Sequence, residues 1–348
     1  MTGCKFLELS SVSLQYDVGE FRIDDISLSL QEGELACILG PSGCGKSTLL
    51  RAIAGFQPIE QGQITLGGKS LSTPTHQVDP EQRGIGMVFQ DHALFPHLTV
   101  AQNVGFGLHR LNAAEKQARI TDWLEVVGLS DHAQQYPHEL SGGQSQRVAL
   151  ARTLAPQPRL VLLDEPFSNL DTDLRGALGL EVRSLLKQVN TTAIMVTHDQ
   201  HDAFALGDQI AVMRAGRLEQ TDTPYNLYHA PANRFVAKFV GEGVFVQATV
   251  SREASLITGF GELQGAIIGD VKSDQACEVL IRPDDVSIDS KSPIRGRIDR
   301  KTFQGAQTLY SVALESGDAL LALAPSHLDY EVDDEIGVAL NTEHLVCF

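Results

Sequence analysis

Residues 34–48 read Glu-Leu-Ala-Cys-Ile-Leu-Gly-Pro-Ser-Gly-Cys-Gly-Lys-Ser-Thr, a short apolar run followed at once by a glycine-rich loop. The apolar run predicts a buried strand, and residues 47–54 predict the helix that follows the loop. Residues 40–48, the phosphate loop, fit the pattern G-x-x-x-x-G-K-[ST], which binds nucleotide phosphates between a strand and a helix. This stretch therefore predicts an α/β fold built around a nucleotide site.

The residue types of the phosphate loop predict how it binds its ligand. Glycines let backbone N–H groups approach the phosphates, and the helix N-terminus adds the positive end of its dipole. Lys46 is expected to reach the β- and γ-phosphate oxygens, and Ser47 to place its hydroxyl on Mg²⁺. The expected nucleotide-binding residues are Gly40, Pro41, Ser42, Gly43, Cys44, Gly45, Lys46, Ser47 and Thr48.

The bulk composition excludes several classes of protein. A chain of 348 residues is long for one domain and ample for two. The formal net charge of −17 argues against a nucleic-acid partner, because such binding depends on Lys and Arg contacts with phosphates. The five scattered cysteines have no metal-ligand spacing, which indicates reduced thiols in the cytoplasm. Neither a membrane-spanning run of about 20 apolar residues nor a signal peptide is apparent, so spanning helices are expected on another subunit.

Patterns along the chain predict two domains. Residues 160–163 and 193–196 are short apolar runs flanked by sequence with a helical pattern, which is typical of central strands in a parallel sheet. Beyond residue 240, short alternating segments separated by Gly, Pro, Asp and Ser predict a small β-rich domain. The expected division is residues 1–240, with a helical insert at about residues 91–155, and residues 241–348.

Polar residues follow several predicted strands. Asp164 and Glu165 end the run that starts at residue 160; Asp164 can hold the Mg²⁺ shell with Ser47, and Glu165 can polarise the attacking water. Gln90 is placed to reach the metal or the water, and His198 to donate to the γ-phosphate. A single Gln or His at a strand end is more often structural, so only the phosphate loop in the same chain favours these functions.

A second candidate anion site lies at residues 140–144, Leu-Ser-Gly-Gly-Gln, which we call the LSGGQ segment. A serine and two glycines precede a helix predicted at residues 144–155, and a helix N-terminus attracts anions. The expected contact residues are Ser141, Gly142, Gly143 and Gln144. The chain thus carries two phosphate-binding surfaces that are far apart in sequence.

The order of these motifs resembles the nucleotide-binding subunit of an ABC transporter. The matching set is the phosphate loop, Gln90, the LSGGQ segment, Leu-Val-Leu-Leu-Asp-Glu-Pro at residues 160–166, Ser-Asn-Leu-Asp at residues 168–171, and His198. The resemblance implies ATP and Mg²⁺ as the bound cofactors. It also implies a homodimer, in which the LSGGQ segment of one subunit covers ATP on the phosphate loop of the other.

The same resemblance implies further roles. Tyr16 would stack on adenine, although a lone tyrosine near a strand is as often a core residue. Residues 168–171, with Asp171 among the nucleotide-binding residues, would signal between the two ATP sites. Gln90 would link the ATP state to the helical insert.

Residues 242–348 resemble the TOBE domain that follows the ATPase in bacterial importers, chiefly through Val-Leu-Ile-Arg-Pro at residues 279–283. The implied fold class is α/β: a P-loop NTPase domain with a mixed sheet and a helical ABC subdomain, followed by a small all-β, OB-like TOBE domain. A further interpretation gives this tail a regulatory role, in which it senses a ligand or a partner protein.

The implied partners are transmembrane permease subunits and, indirectly, a periplasmic or surface substrate-binding protein, with the chain peripheral on the cytoplasmic face of the inner membrane. Residues 86–100 and the compact tail resemble ferric-iron importers more than maltose importers. Sulfate, polyamine, phosphonate, thiamine and sugar importers remain alternatives. A soluble ABC ATPase acting on ribosomes or DNA is a second alternative. His201 departs from the Glu of many relatives, and no interpretation follows.

Cys44 carries a separate expectation. A thiol at a helix N-terminus has a lowered pKa, which exposes it to alkylation. We therefore expect maleimide to inactivate the ATPase, ATP to protect it, and Cys44→Ser to abolish the sensitivity. If Cys44 only fills the loop as a small residue, ATP gives no protection.

Overall fold

The computed structural model describes residues 5–15, 22–91, 93–168, 172–253 and 255–348, with the backbone alone at residues 172–174. The chain divides into two compact units, Met1–Pro224 and Tyr225–Phe348. This division precedes two short helices, whereas the composition of the sequence shifts after them. Arg282 accounts for the difference, because its guanidinium donates to Tyr228 O (3.1 Å) and Ala237 O (3.0 Å) and so holds both helices within the second unit.

The first unit contains both strands and helices. Its strands are β1 (Leu7–Gln15), β2 (Arg22–Leu30), β3 (Leu35–Leu39), β4 (Gln61–Leu66), β5 (Lys69–Thr73), β6 (His76–Gln77), β7 (Ile85–Val88), β8 (Leu160–Asp164), β9 (Thr192–Thr197), β10 (Gln209–Arg214) and β11 (Arg217–Asp222). Its α-helices are α1 (Lys46–Ala54), α2 (Val100–Val104), α3 (Ala113–Val126), α4 (Gly142–Leu154), α5 (Thr172–Gln188) and α6 (Gln200–Leu206). The strand and helix predicted around the phosphate loop are therefore β3 and α1.

The central sheet has the strand order β11-β10-β3-β9-β8-β7, in which β11 is antiparallel to β10 and the other neighbours are parallel. A second, antiparallel sheet has the order β2-β1-β4-β5-β6. The carboxyl ends of the parallel strands meet at one edge of the central sheet, where open α/β sheets bind their ligands. The predicted α/β fold with a mixed sheet is confirmed.

The core of the first unit lies between the two sheets and α1. Every residue of β3, β8 and β9 is buried, as expected for parallel strands that are covered on both faces. α1 buries Leu49, Leu50 and Ile53 in the same cluster, and each such side chain contributes about 1.5–3 kcal/mol relative to exposure. This packing holds the end of the phosphate loop at a fixed place on the sheet.

The predicted helical insert contains α2, α3 and α4, which pack against one another. A capping box starts α3: Asn112 Oδ1 accepts the Glu115 N–H (2.9 Å), and the Glu115 carboxylate accepts the Asn112 N–H (3.2 Å). Gly128 follows the helix with φ of 67°, the left-handed conformation typical of a C-terminal glycine. The periodic residues Ile120 and Trp123 are buried, as their spacing predicts.

The second unit is an all-β domain preceded by α7 (Pro224–His229) and α8 (Arg234–Val240). Its strands are β12 (Val244–Val250), β13 (Leu256–Thr258), β14 (Gly261–Leu263), β15 (Ala266–Ile268), β16 (Ala276–Ile281), β17 (Val286–Ile288), β18 (Arg295–Phe303), β19 (Gln307–Leu314), β20 (Ala319–Pro325), β21 (Glu335–Leu340) and β22 (His344–Cys347). They form two sheets, β14-β13-β12-β16-β22-β15 and β17-β21-β18-β19-β20. Val279, Tyr310 and Val338 lie in a core that both sheets share. The predicted β-rich tail is confirmed.

Candidate active site

The phosphate loop joins β3 to α1 and turns sharply at its glycines. Gly43 and Gly45 have φ of 77° and 104°, in the left-handed region that glycine adopts at little cost. Gly40 packs so closely that a Cβ there would lie 2.3 Å from Met213 O and 2.8 Å from Cys44 Sγ. Side chains at these positions would therefore distort the loop, which explains why the sequence places glycine at each.

Lys46 stands inside the curve of the phosphate loop. The side chain is 5 % exposed, and its Nζ donates to Gly40 O (2.8 Å) and Pro41 O (3.1 Å). These carbonyls partner the buried ammonium, which would otherwise be costly to bury. A positive charge is thus held at the N-terminus of α1, where the helix dipole already favours an anion.

Asp164, the last residue of β8, contacts the phosphate loop. Its Oδ1 accepts a hydrogen bond from Ser47 Oγ at 2.7 Å. Burial raises the pKa of the Asp164 carboxyl, the Ser47 hydrogen bond opposes this rise, and the charge of Glu165 adds to it. A hydroxyl and a carboxylate are the hard oxygen donors that Mg²⁺ prefers, and a divalent cation favours the ionised form of a buried carboxyl. The residues present therefore fit this ion.

Glu165 and His198 come together at the ends of β8 and β9. Glu165 has φ of 45°, a left-handed value that is uncommon for a residue with a side chain, and its N–H donates to Val196 O at 3.0 Å. Its Oε2 lies 3.0 Å from Nδ1 of His198, so the imidazole donates to the carboxylate when Nδ1 carries a proton. The side chains are 20 % and 48 % exposed, which leaves both accessible to a ligand.

Gln90 lies at the same edge of the central sheet. β7 pairs in register with β8, with Val88 opposite Leu163, so the chain leaves β7 beside Asp164. Gln90 follows two residues after Val88 and is exposed. Its expected role at the metal or the attacking water stays a prediction.

The LSGGQ segment forms the N-terminus of α4, which begins at Gly142 and not at the predicted Gln144. The helix starts earlier because Ser141 caps it: Ser141 Oγ accepts the Gln144 N–H (3.3 Å), and Gln144 Oε1 accepts the Ser141 N–H (2.9 Å). Gln144 Nε2 also contacts His132 Nε2 at 3.0 Å. Within the described ranges, no hydrogen bond or ion pair joins this segment to the phosphate loop of its own chain.

Two residues with expected roles, Tyr16 and Asp171, lie outside the described residues. Ser168, the first residue of Ser-Asn-Leu-Asp, is described. Its backbone N–H and its hydroxyl both donate to Glu165 O, at 3.2 Å and 3.0 Å. The start of that segment is thus tied directly to the backbone of Glu165.

The expectation of a lowered pKa at Cys44 is wrong. The side chain is 4 % exposed, and burial raises the pKa of the thiol above its ordinary value of 9.0, although the charge of Lys46 opposes the rise. The loop turns the thiol inward against Gly40, so burial outweighs the helix dipole. Because the thiolate is the nucleophile, we expect this cysteine to react slowly. The alternative interpretation, a small residue that fills the loop, accounts for the structure.

Arg83 supports the site, and sequence reasoning missed it. The side chain is 3 % exposed and donates to Ala52 O (3.2 Å) and Ile53 O (2.8 Å) at the C-terminus of α1, and also to Val78 O (2.8 Å) and Ser72 Oγ (2.8 Å). A cation at a helix C-terminus satisfies the last carbonyls and complements the dipole. Arg83 thus fixes the far end of the helix that carries the phosphate loop.

The fold and the site define a phosphate-loop ATPase, and two family matches refine this class. Residues 23–168 match the family described as ABC transporter, and residues 279–348 match the TOBE domain. The chain belongs to the ABC transporter ATP-binding family: it is an ATP-hydrolysing subunit of an importer, with a C-terminal TOBE domain. The resemblance seen in the sequence is confirmed.

Two curated relatives extend over nearly the whole chain. The Fe(3+) ions import ATP-binding protein FbpC of Streptomyces avermitilis is 40 % identical over 98 % of this chain and 97 % of its own length. The Spermidine/putrescine import ATP-binding protein PotA of Pseudomonas aeruginosa is 41 % identical over 98 % of each. The two relatives are about equally similar to this chain, although their names specify import of different substrates.

A solved structure resembles part of the chain. It is cbiO1 from Clostridium perfringens, part of the ABC transporter complex cbiONQ, with a TM-score of 0.59 and 29 % identity over 64 % of this chain and 90 % of that chain. In the part of the chain that the structure describes, no helix is both long enough and apolar enough to cross a bilayer.

Proposed function

We propose that two copies of this chain bind and hydrolyse ATP at a shared interface and thereby drive uptake of ferric iron through permease subunits in the membrane. The observation that supports this most directly is the arrangement at the strand ends. Ser47 lies 2.7 Å from Asp164, and the adjacent Glu165 lies 3.0 Å from His198. A hydroxyl–carboxylate pair beside a carboxylate with its own imidazole suits in-line hydrolysis of a γ-phosphate.

The residues of the site take distinct roles in this proposal. Lys46 and the backbone of the phosphate loop bind the phosphates of ATP, and Glu165 orients and polarises the water that attacks the γ-phosphorus. When both ring nitrogens carry protons, His198 donates through Nδ1 to Glu165 and through Nε2 to the γ-phosphate. Catalysis then rests on positioning and charge neutralisation, with no covalent intermediate.

We expect Mg²⁺ to bind together with ATP. Ser47 and Asp164 would hold it, with Gln90 as a third residue at the same edge of the sheet. When bound, Mg²⁺ neutralises charge that develops on the phosphate oxygens. The short Ser47–Asp164 contact supports this assignment, because it brings two oxygen donors together beside the phosphate loop.

A symmetric homodimer completes the ATP site in this proposal. Ser141 and Gly142 are exposed at the N-terminus of α4, where backbone N–H groups favour an anion. A second copy can present its LSGGQ segment to ATP on the phosphate loop of the first, and a two-fold axis completes both sites at once. Gly143 and Gln144 shape this surface, and the family roles expected for Tyr16 and Asp171 belong to the same interface.

The remaining partners follow from the importer family. We assign the chain a peripheral position on the cytoplasmic face of the inner membrane, where permease subunits contact the helical insert and a substrate-binding protein delivers the cargo. Ferric iron is favoured by the relative named for Fe(3+) import and by the resemblance at residues 86–100. Polyamine import is the second candidate, because the spermidine/putrescine relative is equally similar.

Glu165→Gln in the purified chain tests the ATPase part of the proposal. Loss of the base should lower kcat by about 100-fold or more. Thermal stabilisation by ATP should persist, and ATP should favour the dimer in size-exclusion chromatography. Lys46→Ala is the contrasting variant, which should lose stabilisation by ATP because binding itself is lost. Parental turnover in Glu165→Gln would overturn the assigned role.

Uptake in whole cells tests the cargo. A strain that lacks the gene, carrying either the parental gene or the Glu165→Gln variant, would be supplied with radiolabelled ferric iron or putrescine. Iron uptake that returns only with the parental gene supports ferric iron. Return of putrescine uptake alone would replace it with a polyamine.

A further inference from the structure

Arg175 on α5 spans the two segments that carry Glu165 and His198. Its Nη1 lies 2.7 Å from Asp199 Oδ2, and its Nε donates to Phe167 O at 3.2 Å. Phe167 follows Glu165 by two residues, and Asp199 follows His198 directly. One guanidinium thus joins the chain just beyond β8 to the chain just beyond β9.

Asp199 gives this contact a defined geometry. Its second oxygen, Oδ1, accepts the N–H groups of His201 (2.8 Å) and Asp202 (3.4 Å), so Asp199 is the N-cap of α6. Burial raises the pKa of the Asp199 carboxyl, but the two backbone N–H groups and the charge of Arg175 outweigh this and leave the pKa lowered. An ionised carboxylate therefore ties the start of α6 to α5.

Arg175 borders the space beside the proposed catalytic pair. A small cavity is lined by Arg175, Glu165, His198, Thr197 and Asp202, with Phe167 and Ser168. Within the described residues, the hydrogen bonds of Arg175 go to Phe167 and Asp199 and not to Glu165 or His198. The side chain is only 18 % exposed, so the guanidinium is held in one place by its surroundings.

We propose that Arg175 is a positioning residue for ATP hydrolysis, which holds Glu165 and His198 in their productive geometry by clamping Phe167 to Asp199. This inference rests on the proposed roles of the two residues. Glu165 occupies a left-handed backbone conformation, which persists only where its surroundings hold it. His198 is half exposed in the connection between β9 and α6, so the anchored Asp199 next to it restrains its position. Misplacement by about 1 Å can cost about 100-fold in rate.

The same helix offers a matched control. Arg183 also donates to a backbone carbonyl and a carboxylate, those of Leu206 and Asp208, with Nη2 2.7 Å from Asp208 Oδ1. Its exposure, 29 %, is similar, but its partners lie at the C-terminal end of α6, away from His198. Loss of Arg183 therefore removes a comparable clamp on α5 without loosening the proposed catalytic pair.

The test compares kcat, KM for ATP and Tm of the purified full-length chain with those of Arg175→Met, Asp199→Asn, the double variant and Arg183→Met. Asp199→Asn keeps an oxygen for the cap of α6 but removes the charge that pairs with Arg175. We expect both single variants to lose about tenfold or more in kcat with KM within about twofold. The double variant should lose no more than either single one, because the two act as one unit. Arg183→Met should lower Tm but keep kcat within about twofold.

Two outcomes overturn the inference. One is a kcat for Arg175→Met that matches Arg183→Met, and the other is a loss in the double variant that equals the product of the single losses. Glu165→Gln, assayed in parallel, separates this inference from the proposed function. If Glu165→Gln is inactive and Arg175→Met is active, only the positioning role of Arg175 is refuted. If Glu165→Gln is active, the catalytic site on which both proposals rest is refuted.

Discussion

Nδ1 of His198 lies 3.0 Å from Oε2 of Glu165, at the point where β8 and β9 end side by side. The parallel register pairs Asp164 with Val196, so Glu165 and His198 leave the sheet within one residue of the same level. Their contact is thus set by strand register, although the two residues are far apart in sequence. This makes the pair the natural place to begin mutational tests.

His198→Ala should lower kcat for ATP hydrolysis by about 100-fold, because it removes the donor to Glu165 and the proposed donor to the γ-phosphate. Stabilisation of the chain by ATP should change little. His201→Ala is the control, since His201 is exposed on α6 and only its backbone N–H contacts Asp199, at 2.8 Å. Its kcat should stay within about twofold. An equal loss in both variants would show that the effect is not specific to His198.

Local motifs explain why much of this site could be predicted from the sequence. The phosphate loop needs glycine at positions 43 and 45 for positive φ. The Ser141–Gln144 cap forms within four residues. Both features are therefore visible as patterns in a short, continuous stretch of sequence. Buried parallel strands such as β8 leave an uninterrupted apolar run. Because these signals are short-range, the sequence predicts the fold class.

Long-range contacts left no such pattern. Arg83 caps α1 across 30 residues, and Arg175 reaches Asp199 across 24, so the sequence around each arginine does not reveal these distant partners. For Cys44 the local sequence gives a wrong prediction. Its position at a helix N-terminus predicts a lowered pKa, but the sequence does not show the inward turn that buries the thiol and raises its pKa. The β-rich part of the sequence begins after α8, and long-range contacts, such as those of Arg282 with Tyr228 O and Ala237 O, place both preceding helices in the same unit.

Maleimide should modify Cys44 slowly in the folded chain near neutral pH. Burial raises the pKa of the thiol, so little thiolate is present, and the side chain is hardly accessible. Mass spectrometry of the peptide that contains Cys44 would follow labelling with and without urea, with Cys44→Ser as the control for ATPase inhibition. Rapid labelling of the folded chain, with protection by ATP, would restore the reactive-thiol hypothesis.

Arg83→Met should lower the free energy of unfolding by about 2–4 kcal/mol, because it removes the guanidinium donor from the carbonyls of Ala52 and Ile53, of which Ala52 O keeps the Gly55 N–H (3.2 Å). Urea unfolding of the full chain measures the change. Arg83→Lys restores the charge at the C-terminus of α1 but fewer of the donors, so its loss should be smaller. Parental stability in Arg83→Met would mean that water or other groups replace the guanidinium.

Asp208 forms ion pairs with two residues of α5, and these pairs make the stability of the fold depend on pH. Its Oδ1 pairs with Arg183 (2.7 Å), and its Oδ2 accepts from Lys187 (2.6 Å) and the Leu35 N–H (2.8 Å). Burial raises the pKa of this carboxyl, but these donors outweigh burial and hold the pKa below its ordinary value of 3.8. Stability from such a group is fully present above that ordinary value and is lost as the pH falls through the lower, folded-state pKa.

Asp208→Asn should therefore cost about 1–3 kcal/mol in the free energy of unfolding at pH 7, where the parental carboxylate is ionised. The difference from the parent should shrink as the pH falls below about 4, because the parental group then becomes protonated and loses its own contribution. Urea titrations from pH 7 to pH 3.5 measure the difference directly. Asp164 and Asp202, whose pKa values are raised, are present in both proteins, so their effect on stability cancels in the comparison. The exposed Asp122→Asn on α3 should stay within about 0.5 kcal/mol of the parent throughout. A penalty for Asp208→Asn that grew with acidity would contradict the lowered pKa and the ion pairs that cause it.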